Sequence, residues 1–149
     1  IRIFPHAKVP EHYVPDPHLR LNLYRRLSLF DNHDDLERFR IELIDRFGAF
    51  PREVEDLLRT VQLCIKALTI GVRSARLSDN GRLHIDFCPP DKPESFLQQV
   101  QALMEPTGCD YRFINLRQDD LRLSITVGEQ EVDSIVEYLF NALQANSRD

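Results

Sequence analysis

The stretch Glu42-Leu-Ile-Asp-Arg-Phe-Gly48 ends an amphipathic helix and determines how the first half of the chain folds. Its apolar residues Leu43 and Phe47 continue a stripe that begins with Leu36 and Phe39. Spacings of three and four residues place these four side chains on one side of a helix, which is the side that a core takes. The stretch therefore predicts a buried seam.

The end and the outer side of this helix are also specified. Gly48 tolerates the left-handed backbone conformation that ends many helices, and Pro51 is suited to open the next one. Glu42 and Asp45 point away from the apolar stripe. The pattern therefore predicts a helix end with an outward acidic pair.

Helical spacing predicts three consecutive helices in the first half of the chain. Asp16 before Pro17 is a good N-cap with a good first helical residue. The apolar stripe of this first helix is Leu19, Leu23, Leu27 and Phe30. Asn32 caps the second helix, predicted at about 33–47, and the third helix is predicted at 51–70. The short loop between the first two predicts an antiparallel hairpin.

After residue 71 the hydrophobic period changes from near 3.6 to near 2, which is typical of strands. Ser-Asp-Asn-Gly at 78–81 is a hairpin turn signal. The predicted elements are strands 72–77 and 83–87, helix 94–105, strands 111–116 and 121–127 around Gln-Asp-Asp, and helix 129–144. Residues 1–9, which Pro5 interrupts, form at most a short edge strand.

These elements predict an α/β (α+β) fold with the order β-ααα-ββ-α-ββ-α. We expect one two-layer domain over residues 1–149. Its first part, residues 1–71, is a strand with a three-helix subdomain. Its second part, residues 72–149, is a small, mostly antiparallel sheet covered by two helices, and the two parts are expected to pack together.

Composition limits the class of protein. The 149 residues carry a net charge of −5, with 42% hydrophobic and 29% charged residues and no apolar run long enough for a membrane helix. The negative charge disfavours wrapping a nucleic-acid backbone with the whole surface. Three widely spaced cysteines, Cys64, Cys88 and Cys109, indicate neither a disulfide framework nor a zinc knuckle, so a cytoplasmic location is expected. Without an initiator Met, the chain is expected to be part of something longer.

The residues show no clear catalytic equipment and no cofactor motif. The five glycines stand alone, so none begins a phosphate-binding loop. His6, His12 and His18 recur every six residues but match no known metal-site spacing, and surface histidines are the plainer interpretation. His84 with Cys88 would need an orienting partner and an oxyanion site to act as a nucleophilic pair, and a packed cysteine is the plainer interpretation.

The charged helix surfaces leave two interpretations open. A basic group on the first helix, Arg20, Arg25 and Arg26, either contacts phosphate or pairs with acids of the second helix. On the second helix, the spacings from Asp34 to Arg38 and from Arg38 to Glu42 allow salt bridges of only ~0.2 to 0.5 kcal/mol each. Pattern alone therefore does not separate a solvated face from a docking face.

Three strings carry a family resemblance: Val14-Pro-Asp-Pro-His-Leu-Arg-Leu-Asn-Leu-Tyr-Arg-Arg-Leu27, the Glu42 to Gly48 stretch, and Phe50-Pro-Arg-Glu-Val-Glu-Asp-Leu-Leu58. The chain resembles the C-terminal domain of the bacterial transcription-repair coupling factors, the Mfd family. The likeness extends over essentially the whole chain and is densest at 14–71. Pro17 departs from the family, in which an aliphatic residue is more usual.

The resemblance implies a function that composition does not show. Members of the family are multi-domain, ATP-dependent DNA translocases that remove stalled RNA polymerase and recruit nucleotide excision repair through UvrA. The C-terminal domain is implied to be a non-catalytic, autoinhibitory clamp. It docks on the UvrB-like module of the parent protein, masks UvrA binding and restrains the motor, without direct nucleic-acid contact. The implied partner-binding residues are Glu42 and Asp45, with Arg38 and Arg46 beside them.

Two other interpretations remain open. One is a small-molecule or metal-sensing regulatory α/β domain built on the two strand-strand-helix units, with His84, Cys88 and the three N-terminal histidines as candidates. The other is a hydrolase, which would need a deep pocket joining His84 to a nucleophile.

Overall fold

Helices fill the first half of the chain and a sheet with two helices fills the second. The computed structural model describes residues 1–128 and 130–147. The helices in these residues are α1 (Pro17–Ser28), α2 (His33–Phe47), α3 (Arg52–Ile70), α4 (Pro93–Met104) and α5 (Val132–Ser147). The strands are β1 (Val72–Leu77), β2 (Arg82–Phe87), β3 (Tyr111–Asn115) and β4 (Leu121–Thr126). Short 3-10 turns follow α4 and β3. This mixed α/β architecture confirms the predicted fold class.

The chain divides into two compact units, whose boundary lies within α3. One unit is Phe4–Ile65, and the other is Ile1–Ile3 with Lys66–Asp149. The arrangement of residues 1–149 as one two-layer domain stays a prediction.

The ends of the first two helices follow the sequence signals. The Asp16 side chain accepts a hydrogen bond from the His18 backbone N–H at 2.8 Å, and Asn32 accepts one from Asp35 N–H at 2.9 Å. Each bond satisfies an N–H that the helix itself leaves free. Gly48 ends α2 with a φ of 90°, a conformation that costs glycine little. The predicted caps are therefore confirmed.

The core of the helical unit contains the predicted stripe of α2, with Leu36, Phe39 and Leu43 buried and Phe47 half-buried against them. On α1 the prediction is wrong at Leu19, which is exposed, whereas Leu23 and Leu27 are buried. Each four-residue step advances about 40° around a helix. Leu19 therefore lies about 80° from Leu27, outside the narrow face that α1 buries.

The sheet has the strand order β1-β2-β4-β3, and all three neighbouring pairs are antiparallel. Both predicted hairpins are confirmed, and the first turns at Gly81 with a φ of 75°. The pairing of β2 with β4 joins the two hairpins. The connection through α4 places β3 parallel to β2, with β4 inserted between them.

One face of the sheet is apolar. On β2, Leu83, Ile85 and Phe87 are buried, whereas His84 and Asp86 between them are only half-buried. Successive side chains of a strand point to opposite faces, which explains this alternation. Phe96 of α4 packs edge-on against Phe87, with ring centroids 5.0 Å apart. The apolar face is therefore the helix-covered one, and the opposite face is polar.

The two ends of the chain differ from expectation. The predicted N-terminal strand is reduced to one bridge, in which Arg2 pairs in parallel with Arg76 of β1 before Pro5 interrupts the segment. The predicted last helix begins at Glu129, which lies outside the described residues, and α5 itself runs from Val132 to Ser147. None of the described helices has the length and apolar character needed to cross a bilayer.

Candidate functional site

The outer surface of α2 combines charge with exposed apolar side chains. Its exposed residues include Arg38, Ile41, Ile44 and Asp45, which we call the α2 surface. Arg38, Ile41 and Asp45 lie on the side of the helix away from Leu36, Phe39 and Leu43, and Ile44 lies at the edge of that side.

Glu42 is held inside the helix hairpin. Its two carboxylate oxygens accept hydrogen bonds from Nη1 and Nη2 of Arg26 at 2.9 and 2.5 Å. Arg46, one turn further along α2, reaches the same carboxylate at 3.2 Å. The hydrogen bond from Arg26 lowers the pKa of Glu42, and Arg46 acts in the same direction. The negative charge of Glu42 is therefore compensated by two arginines of the same chain.

This cluster replaces the pairs that spacing alone allowed. Arg38 bonds to Asp35 at 3.1 Å, and the described residues contain no bridge from Arg38 to Asp34 or to Glu42. A bidentate arginine from α1 outcompetes a flexible partner on the same helix, because two parallel hydrogen bonds form at once. The expectation that basic residues of α1 pair with acids of α2 is met by Arg26.

Asp45 differs from Glu42. It is exposed, and it forms no ion pair with any other residue in the described ranges. Ile41, 60% exposed, is its neighbour one turn earlier on the helix surface, and Ile44, 49% exposed, adjoins Ile41. The acid that remains available to a partner is therefore Asp45, bordered by apolar surface.

Sequence reasoning identified the charges of this surface but missed its isoleucines. The signal was present, since Ile41 lies two residues from both Phe39 and Leu43, about 160° around the helix from each. Ile41 and Ile44, three residues apart on α2, form a small exposed apolar pair beside the charged residues.

The end of α2 is anchored from the preceding segment. The Tyr13 hydroxyl donates to the carbonyl oxygen of Gly48 at 2.8 Å and lies 3.3 Å from that of Leu43. Its ring also packs against Phe47, with centroids 5.8 Å apart. The bond to Gly48 satisfies the carbonyl of the residue that caps the helix. The α2 surface is thus presented on a fixed backbone.

The basic residues of α1 do not form one site. Arg20 donates to the backbone carbonyls of Val14 and Pro15 at 2.8 and 3.0 Å. Arg26 is occupied by Glu42, and Arg25 is exposed. The three arginines therefore do not converge on one position where a phosphate could bind, as the phosphate-site hypothesis requires.

The other candidates are also separate. Among residues 1–128 and 130–147, no group of three histidine, cysteine or acidic side chains could hold a metal ion, so His6, His12 and His18 form no such group. The Cys88 sulfur lies 3.6 Å from Arg73 Nη2. A cleft of about 390 Å³ is lined by Pro89, Pro90, Pro93, Leu97, Asn115, Asp119 and Leu121. This cleft does not join His84 to a nucleophile.

Comparison with known proteins places this geometry in context. The family profile of the TRCF domain matches residues 5–97. The transcription-repair-coupling factor of Rickettsia typhi is 36% identical over 99 residues, which is 66% of this chain and 9% of that protein. The Escherichia coli K12 protein of the same name is 33% identical over 73 residues, 49% of this chain and 6% of that protein. The chain thus spans about a tenth or less of these relatives.

A solved structure shares the fold. It is described as the crystal structure of the C-terminal domain of transcription-repair coupling factor, and it superimposes with a TM-score of 0.75. The superposition covers 96% of this chain and 89% of the other, at 21% sequence identity. At that identity the likeness concerns the fold alone.

Proposed function

Because this chain belongs to the transcription-repair coupling factor family, through its TRCF domain, we propose that it is a non-catalytic regulatory domain that docks through its α2 surface. The docking partner is the UvrB-like module of the same parent protein. Docking masks the surface that binds UvrA and restrains the translocase motor until RNA polymerase is engaged. The process served is transcription-coupled DNA repair.

One observation carries the proposal. Asp45 is exposed, has no ion-pair partner among the described residues, and lies one turn after exposed Ile41, which adjoins exposed Ile44. An arginine of the partner would meet this carboxylate, while the isoleucines would lose contact with water. Interfaces combine an apolar centre with a charged rim in this way.

Glu42 and Arg46 have a different role in the proposal from Asp45. Because Arg26 already binds both oxygens of Glu42, the carboxylate contributes mainly by fixing α1 against α2. Arg46 bonds to Glu42 and lies over the Phe47 ring, 5.0 Å from its centroid. These residues hold the surface in place, and Arg38 with Asp45 forms its charged part.

The chemistry suits a reversible clamp. An exposed charge pair contributes only ~0.2 to 1 kcal/mol, and two isoleucines supply a modest apolar area. Such a contact fixes the relative position of the two surfaces but binds them weakly. Engagement of another partner can therefore open it.

The test measures binding of this 149-residue chain to the separately produced UvrB-like module of its parent by calorimetry. We expect measurable binding that Asp45→Asn weakens. The matched control is Asp91→Asn, which removes another exposed acid, from a loop outside α2. Absence of binding by the wild-type chain contradicts the proposal, as does equal weakening by the two substitutions.

A further inference from the structure

The polar face of the sheet carries a row of side chains that the proposed docking does not use. Cross-strand pairing places Arg76 opposite His84, His84 opposite Ser124, and Ser124 opposite Arg112. Directly paired residues point to the same face of a sheet. The row therefore crosses all four strands with an arginine at each end, and we call it, with neighbouring Arg82, the sheet surface.

Charge is segregated on this face. Beyond one side of the row, Asp86 binds Arg122 through two hydrogen bonds of 2.7 and 2.9 Å, and Asp120 binds Arg73 at 2.9 Å. In the row itself, Arg76 and Arg112 are exposed and form no salt bridge within the described residues, although the charge of Arg76 helps to lower the pKa of Asp86.

Arg82 likewise forms no ion pair in the described part of the chain. Burial, followed by nearby Arg122 and Arg76, lowers the pKa of His84. A chain with a net charge of −5 thus presents a locally basic face.

Two buried polar atoms lie at the centre of the row. Ser124 is 1% exposed, yet its Oγ has no hydrogen-bond partner among the described residues, and the same holds for Nδ1 of His84. Leaving such groups unpaired is costly, so proteins normally satisfy them. Ser124 also has the smallest side chain of the row, so it lies lower on the sheet than the long side chains on either side of it.

We propose that the sheet surface binds a carboxylate-rich segment of a protein partner. Arg76 and Arg112 each bind a carboxylate, and movement of their flexible side chains lets a third acid reach the Ser124 hydroxyl. Arginine favours this role because its planar fork matches a carboxylate with two hydrogen bonds.

The spacing of the row fits an extended peptide. Neighbouring strands are separated by about 4.8 Å, so the Cα atoms of Arg76 and Arg112, three strands apart, are separated by about 14 Å. About four residues of extended chain cover that distance. Acids on alternate residues would therefore meet both arginines and the centre of the row.

A polypeptide fits better than a nucleic acid. The polar face lacks the Phe, Tyr and Trp side chains on which unpaired bases stack, at all ten positions: Ser74, Arg76, Arg82, His84, Asp86, Arg112, Ile114, Arg122, Ser124 and Thr126. Sheets that read single strands use such side chains as platforms.

The experiment follows backbone amides of the isotope-labelled 149-residue chain by NMR while a peptide of about eight residues, alternating glutamate and serine, is added. We expect shifts confined to the amides of the four strands near Arg76, His84, Ser124 and Arg112. The double variant Arg76→Gln, Arg112→Gln should weaken binding about tenfold or more, since two charge-assisted contacts are lost. Arg25→Gln, an exposed arginine on α1, is the matched control and should leave the affinity unchanged.

A second variant separates binding from folding. Ser124→Ala removes a buried hydroxyl without a partner, so we expect an equal or higher melting temperature together with several-fold weaker peptide binding. Affinity unchanged in Ser124→Ala, or peptide shifts outside this face, would overturn the proposal. It is equally overturned if a thymidine oligonucleotide of the same charge, or inorganic phosphate alone, binds the face more tightly than the peptide.

Discussion

Arg26 of α1 binds both carboxylate oxygens of Glu42 of α2, at 2.9 and 2.5 Å, and thereby joins the two helices that present the docking surface. The same guanidinium lies over the Phe39 ring, 4.9 Å from its centroid. Glu42 therefore belongs to the hairpin, whereas Asp45, three residues on, faces solvent.

The Arg26 to Glu42 contact should be measurable as a coupling energy. We expect Arg26→Gln and Glu42→Gln each to lower the free energy of unfolding by about 1 kcal/mol, because both side chains remain about a third exposed and solvent screens the pair. The double variant should cost less than the sum of the single ones. Urea unfolding followed by far-UV circular dichroism suits a chain without tryptophan. Strictly additive losses would show that the two residues do not interact in solution.

Acid should weaken the domain through two carboxylates. Hydrogen bonds from Arg26 and from Arg122 lower the pKa of Glu42 and of Asp86, respectively. A carboxyl whose pKa is lower in the folded state stabilises above its unfolded value, about 4.3 for Glu, and that contribution is lost as the pH falls through the folded pKa.

We therefore expect urea midpoints to fall as the pH drops below about 6.5, because the pKa of His84 is lowered in the folded state, and to fall further below about pH 4 as Glu42 and Asp86 are protonated. Glu42→Gln should show a smaller fall than the wild type over that interval. If the urea midpoint depends on pH in the same way in the wild type and in Glu42→Gln, the lowered pKa of Glu42 is not linked to folding.

The Tyr13 hydroxyl should stabilise the end of α2. Tyr13→Phe keeps the ring against Phe47 but removes the bond to Gly48, and we expect a loss of about 1 kcal/mol in the free energy of unfolding. Tyr138→Phe is the matched control, since its hydroxyl bonds to Leu103 O in an exposed position. A smaller loss for Tyr13→Phe than for Tyr138→Phe would contradict the anchoring role.

Local signals predicted most of the helical half. Asp16, Asn32 and Gly48 act within one turn of their own position, so their roles as caps follow from residue type and spacing. The same holds for the Asn80-Gly81 turn between β1 and β2.

What sequence could not predict depends on tertiary partners. The spacings on α2 gave Glu42 a neighbour on its own helix, yet its strongest partner, Arg26, is 16 residues away. Leu19 shows the opposite case, because a helical stripe does not specify how wide a face the fold buries. The pairing of Ser124 with His84 likewise depends on the insertion of β4 beside β2.

The charged and the apolar residues of the α2 surface should make separable contributions to the docking affinity. Asp45→Asn should weaken binding to the UvrB-like module by up to about fivefold and reduce its salt dependence, because salt screens exposed charge pairs. Ile41→Ser should weaken binding with little change in salt dependence, since it removes apolar area alone. Calorimetry at low and high ionic strength measures both effects. The reverse pattern, with the salt dependence altered only in Ile41→Ser, would refute this division.

The most direct measurement is UvrA capture by the full-length parent protein carrying Ile41→Ser with Asp45→Asn. If the α2 surface holds the clamp closed, this variant captures more UvrA than the wild type in the absence of RNA polymerase, while Asp91→Asn captures the same amount as the wild type. Capture at the wild-type level by the double variant, with its domain shown to be folded by circular dichroism, would contradict the proposal that this surface masks UvrA binding.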